Sequence, residues 1–197
     1  MIITGITGGI GSGKTTVARI WESLGAYVMY ADDVAKQIMV SDERVQEQLK
    51  DVFGDGVYLP DGSLNKPYLA EEAFQKGRVE ELNNIVHPAV YRYGEKLIEQ
   101  EKALGTTLFV KEAALLLKNG RPDGFDFIVV CEADEDLRVS RVTGRDGSKP
   151  AEVKERMAKQ QSRDVFRKHA DIVITNNGTL QELEEKAIAS FRLMTRQ

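Results

Sequence analysis

Gly8-Gly9-Ile10-Gly11-Ser12-Gly13-Lys14-Thr15 fits G-x-x-x-x-G-K-[ST]. It stands between the apolar run Ile2-Ile3-Thr4-Gly5-Ile6-Thr7 and a stretch of helical period over residues 14–24. Strand, glycine loop and helix in that order are the context a phosphate-binding loop requires. The glycines let the backbone turn so that successive N–H groups face phosphate oxygens, and the helix N-terminus adds the positive end of its dipole. Gly9, Gly11, Ser12 and Gly13 belong to this cradle. Lys14 is placed to reach the terminal phosphates and Thr15 to coordinate Mg²⁺, so ATP and Mg²⁺ are the expected cofactors.

Outward from the loop, strand-like runs recur at residues 27–30, 107–111, 127–131 and 171–175, separated by helical patterns. That alternation predicts an α/β fold with parallel strands and crossover helices. Residues 31–49 read as one helix, and residues 67–102 as mostly helical with an interruption at Pro88. Thr179 and Glu182 form a capping box before Leu180, Leu183, Ala187, Phe191 and Met194, which recur at helical spacing and predict an apolar stripe.

The expectation is a single kinase domain of 197 residues. Its nucleotide-binding core takes residues 1–34 and 105–197, a helical insert residues 35–104, and a lid residues 136–168 within the core. Hydrophobic residues at 42% and charged residues at 29% suit a soluble globular chain. The apolar start is too short for a signal peptide or membrane span, which predicts a cytoplasmic protein without membrane contact. A net charge of −4 argues against nucleic-acid binding, and no obligate protein partner is evident. Positive charge is nevertheless concentrated: residues 138–168 hold ten Lys or Arg against four Asp or Glu. Cys131, the only cysteine, lies in an apolar run and reads as a buried thiol. Trp21 reads as core, as do Val45, Leu49, Val52 and Phe53, whose helical spacing makes core a more economical reading than a ligand channel.

A phosphate loop alone does not separate kinases from GTPases or motors. No Asn-Lys-x-Asp or Thr-Lys-x-Asp guanine-reading sequence occurs, and neither of the runs ending Lys111-Glu112 and Cys131-Glu132 closes on the aspartate common in large ATPases. Asp32 and Asp33 follow the second strand at the carboxyl edge of the sheet, where either could take a proton from an acceptor hydroxyl. Helix capping by Asp32, with Asp33 in the first turn, is the competing or concurrent role. Arg138, Arg141 and Arg145, at i, i+3 and i+7 on a helix capped by Asp134, line one face. With Arg156, Arg163 and Arg167 they predict a basic lid over the transferring phosphoryl group, a solvated basic face being the alternative.

Several separated blocks resemble the dephospho-CoA kinase family. Thr7 to Ala18 is similar to its opening, Leu24-Gly25-Ala26 and Ala31-Asp32-Asp33-Val34-Ala35 to its next block, and His87-Pro88 to the His-Pro of its helical insert. Arg145-Asp146-Gly147, Arg156, Gln160, Arg167, Ala170-Asp171-Ile172-Val173-Ile174 and Asn176-Asn177-Gly178 follow its carboxyl-terminal order. The resemblance implies a P-loop fold with a five-stranded parallel sheet in the order 2-3-1-4-5 and transfer of the ATP γ-phosphate to the ribose 3′-hydroxyl of dephospho-CoA. It implies Asp32 as base, Lys14, Thr15, Thr16 and Asn176 at the nucleotide, Arg141 and Arg145 in the lid, and Asp32, Asp33 and His87 toward the substrate. His87 precedes a proline, which biases it toward a turn that presents its ring. Tyr30-Ala31-Asp32 stands where the family has Asp-Ala-Asp, so Asp33 or Glu112 is left to supply the missing carboxylate. Lys118 replaces an acidic position and is assigned no role. The rivals are a kinase of nucleoside monophosphates or another small alcohol, and a regulatory protein whose bound ATP only sets a conformation.

Overall fold

The computed structural model describes residues 1–196. In chain order the elements are β1 (Ile2–Thr7), α1 (Lys14–Ser23), β2 (Tyr27–Tyr30), α2 (Ala31–Ser41), α3 (Glu43–Phe53), α4 (Lys66–Ala70), α5 (Val79–Ala103), β3 (Leu108–Glu112), β4 (Phe127–Glu132), α6 (Glu135–Asp146), α7 (Pro150–Ala158), α8 (Arg163–His169), β5 (Ile172–Thr175) and α9 (Leu180–Thr195). They form two compact units. One holds Met1–Tyr30 and the chain from Glu101 onward, the other Ala31–Gln100.

The first unit is an all-parallel sheet in the order β2-β3-β1-β4-β5, as the resemblance implied. Parallel strands covered on both faces need apolar residues in every position. Leu108, Phe109 and Val110 of β3 and Ile128, Val129, Val130 and Cys131 of β4 are accordingly buried throughout. On one face α1 and α9 pack Val17, Trp21, Leu183, Ala187, Phe191 and Met194 against Ile6, Val110 and Val129. Trp21 keeps its indole N–H satisfied at the Ala187 carbonyl, 2.8 Å away. On the other face Phe166 of α8 and Leu117 cover Ile128 and Val130. The Cys131 thiol is buried as expected, and burial pushes its pKa up to about 12. The capping box at Thr179 and Glu182 forms, but Leu180 is 67% exposed and lies off the apolar stripe of α9.

The second unit is helical. Where the sequence suggested one helix over residues 31–49 there are two, because Asp42 takes extended backbone and its carboxylate accepts from the Val45 N–H at 3.2 Å, capping α3. Val45, Leu49 and Phe53 are buried on α3, together with Val57 and Leu69. Asp32 is not a cap: α2 starts at Ala31, directly after β2, and both Asp32 and Asp33 lie in its first turn. Pro88 does not interrupt α5, which runs through it for 25 residues. Proline removes one helical N–H, and a helix this long has many other bonds to offset the loss. No helix among the described residues is long and apolar enough to cross a membrane.

Candidate active site

The loop between β1 and α1 depends on glycine at both ends. Gly8 has φ 148° and an added Cβ there would lie 2.1 Å from the Cys131 carbonyl oxygen. Gly13 has φ 99° and a Cβ would meet the Asn176 amide nitrogen at 2.3 Å. The same Asn176 Nδ2 donates to the Ser12 carbonyl at 2.9 Å, so the chain just past β5 pins the loop from outside. Lys14 and Thr15 open α1, with Thr16 half-buried in the first turn. Ser12 is buried inside the loop, 1% exposed.

At the carboxyl end of β3, Glu112 is 4% exposed. Its Oε1 accepts from the Thr15 hydroxyl at 3.2 Å and lies 3.6 Å from Lys14 Nζ. The register explains why: Glu112 is paired with Ile6 of β1 on one side and Tyr30 of β2 on the other, beside the strand that feeds the loop. The Tyr30 hydroxyl donates to Glu22 at 3.2 Å. Burial first, then the charges of Glu22 and Glu112, push that phenol up to about 12, so it stays protonated. Thr15 and Glu112 together offer hard oxygen donors, the kind Mg²⁺ takes.

The basic segment divides into three sets of partners. Arg138 Nε donates to the Ile10 carbonyl at 2.8 Å. Arg141 reaches the Asn176 carbonyl at 3.0 Å and its side-chain oxygen at 3.3 Å. Arg145 is forked onto Asp146 at 2.6 and 3.0 Å. Local acceptors therefore relieve the repulsion of three arginines on one helix. Asp134 stands at the N-terminus of α6, yet its side chain makes no capping bond there; its carboxylate lies 4.0 Å from Arg163 instead. Gly147 ends α6 in left-handed backbone with its N–H on the Thr143 carbonyl.

Arg163 and Arg167 of α8 both grip Glu132, the last residue of β4. Arg163 contacts its two oxygens at 2.8 and 2.6 Å, Arg167 at 2.9 and 2.6 Å, and the Thr175 hydroxyl adds a bond of 3.0 Å. These hydrogen bonds outweigh burial and hold the Glu132 carboxyl far below the usual carboxylate range. A depressed folded-state pKa contributes stability that is present above the unfolded value of about 4.3 and lost as pH falls below it. Glu132→Gln is expected to cost about 2 kcal/mol at pH 7, the half-exposed arginines being partly screened. The gap to the parent should narrow as pH drops below about 4, which denaturant titrations at both pH values check.

In the helical unit Asp32 and Asp33 are both exposed, and Asp33 pairs with Lys36 at 2.7 Å. His87 lies exposed within α5 between buried Val86 and Ala89, so it is presented from a helix and not from a turn.

Sequence reading passed over Glu132 as a gripped carboxylate, and it noted Gln160 only in the order of the family resemblance, without the contact seen here: its side-chain oxygen accepts from the Ile10 N–H at 2.9 Å. The signal for the first was a glutamate closing a fully apolar strand, a position where an acid requires partners. The contact of Gln160 with Ile10 carried no local signal, since the two are 150 residues apart.

A strand-fed phosphate loop, a buried acid beside its Lys and Thr, and a basic helical segment are what small-molecule kinases share, and comparison with known proteins narrows the class. The family model described as dephospho-CoA kinase matches residues 2–182. A protein of Salinibacter ruber named dephospho-CoA kinase is 41% identical, covering 99% of this chain and 98% of its own. One of the same name from Corynebacterium diphtheriae is 39% identical, covering 95% and 94%. Among solved structures, a Thermus thermophilus protein superposes with a TM-score of 0.78 at 34% identity, covering 96% of each chain. The dephospho-CoA kinase of Campylobacter jejuni shares the fold with a TM-score of 0.64 at 22% identity, covering 99% of this chain and 98% of its own. With a family match running from the first strand into the last helix, this chain belongs to the dephospho-CoA kinase family.

Proposed function

We propose that the chain transfers the γ-phosphate of ATP to the ribose 3′-hydroxyl of dephospho-CoA, releasing ADP and coenzyme A. The observation that carries this reading is the glycine loop with Lys14 and Thr15 set against buried Glu112, in a chain of this family. Backbone N–H groups of Gly9, Gly11 and Gly13 to Thr16 receive the phosphates, those of Ile10 and Ser12 being taken by Gln160 and the Gly9 carbonyl, and Lys14 neutralises charge on the terminal ones. Thr15 and Glu112 would hold Mg²⁺, which when bound neutralises phosphate charge and orients the γ-phosphoryl group.

Asp32 serves as the base for the 3′-hydroxyl, with Asp33 and His87 toward the acceptor in the helical unit. Asn176 keeps the loop in shape through Ser12 and presents Arg141, which with Arg145 supports charge on the transferring group as the lid within residues 136–168 closes and excludes water, its α8 end staying anchored on the sheet through Phe166 and Glu132. The reading places the enzyme in the cytoplasm, to which a lone reduced thiol is suited.

Coupled ADP production with Mg²⁺·ATP and dephospho-CoA, a panel of nucleoside monophosphates, or no acceptor tests this, with products identified by mass. Coenzyme A formed only with the first acceptor is the expected result. Turnover with a monophosphate, or ADP release that needs no acceptor, would overturn it.

A further inference from the structure

Ile10, at the outer bend of the phosphate loop, is held by every group it offers. Its N–H donates to Gln160 Oε1 at 2.9 Å, and its carbonyl accepts from Arg138 Nε at 2.8 Å. Its side chain packs against Val139 and Val142 of α6 and Val153 and Met157 of α7. Arg138 Nη2 donates in turn to Gln160 Oε1 at 3.3 Å, closing a ring of three residues.

The flanking glycines allow this approach. A Cβ on Gly9 would lie 2.3 Å from Arg138 Nη2, and one on Gly11 2.7 Å from the Arg138 carbonyl oxygen. A peptide group left to water at this bend would let the loop sample other shapes, and ordering it would then weaken nucleotide binding. Here both polar atoms of one loop residue are taken by side chains from the basic segment, one on α6 and one just past α7.

We propose that Arg138 and Gln160 are positioning residues that set the shape of the phosphate loop and so couple the placement of the α6–α7 segment to ATP affinity. Neither needs to touch the nucleotide. The proposal rests on the reading of the loop as an ATP site and is independent of the acceptor.

The test is calorimetric titration of the full chain with Mg²⁺·ATP and no acceptor. Arg138→Met and Gln160→Leu are each expected to weaken ATP binding about tenfold. Gln160→Glu, which keeps an acceptor for both the Ile10 N–H and Arg138, should stay within about threefold of the parent. Because both residues hold Ile10 and bond to each other, the double variant should bind about as weakly as the weaker single one, not about a hundredfold more weakly than the parent. In turnover with dephospho-CoA the KM for ATP should rise while kcat changes less than about threefold.

Affinity changes below about twofold, multiplication of the two effects, or a Gln160→Glu variant as weak as Gln160→Leu would each overturn the proposal. If Arg138→Met does not fold, the Gln160 pair decides alone. Failure to phosphorylate dephospho-CoA would count against the acceptor assignment and leave these titrations standing, so the two readings fail separately.

Discussion

Lys14→Ala is expected to lower kcat/KM for ATP about 10³-fold, at the upper end of what removal of one preorganised charge stabiliser costs. The reason for the upper end is the neighbour. Lys14 Nζ stands 3.6 Å from Glu112, whose carboxylate is 4% exposed. Without the ammonium, incoming phosphates face that carboxylate with one cation fewer, and a poorly solvated like charge adds to the loss. In titrations with Mg²⁺-free ATP, where Glu112 has no cation to hold, Glu112→Gln in the Lys14→Ala background should therefore recover part of the affinity, while turnover with Mg²⁺·ATP stays low. Steady-state rates with parallel titrations check both statements, and a double variant that binds Mg²⁺-free ATP no better than Lys14→Ala would contradict repulsion by Glu112 as the source of the added loss.

Asp32→Asn is expected to reduce kcat about 10²- to 10⁴-fold, the usual range for removing a positioned base, with ATP affinity within about twofold. Asparagine keeps the size of the side chain and takes away its ability to accept the 3′-hydroxyl proton. The neighbouring acid makes an internal control. Asp33, toward the acceptor but paired with Lys36 at 2.7 Å in an exposed position, is a binding group and not the base, so Asp33→Asn should raise the acceptor KM about threefold and leave kcat near the parent value. Single-turnover measurement of both variants distinguishes the two carboxylates. Near-parent turnover in Asp32→Asn would remove it from the base position.

What was legible in the sequence was what is local along the chain. The phosphate loop, its strand and its helix lie within residues 2–23, and their meaning follows from spacing and glycine placement. The capping box at Thr179 is equally local. Strand order is not: β1 pairs with β3 and β4, more than a hundred residues on, and nothing in periodicity orders them. That order came from the family resemblance. The break at Asp42 was readable from an aspartate three residues before Val45, but continuous helical period across 31–49 concealed it. Pro88 misled in the opposite sense, because a local penalty was outweighed by a long helix. The arginines of residues 138–167 were visible as charge, while their partners Ile10, Asn176, Asp146 and Glu132 are set mostly by tertiary contact.

The Asn176 bond to the Ser12 carbonyl spans 164 residues. A chain made from its N-terminus exposes the phosphate loop early, yet the side chain that pins this loop arrives only after β5. β1 likewise waits for β3 and β4 before it has neighbours on either side. Completion of the nucleotide site therefore coincides with completion of the sheet, and a nascent chain halted before residue 176 carries the whole phosphate-loop motif without its finished cradle. A ligand held by that cradle would stabilise the finished chain in preference to one halted before residue 176.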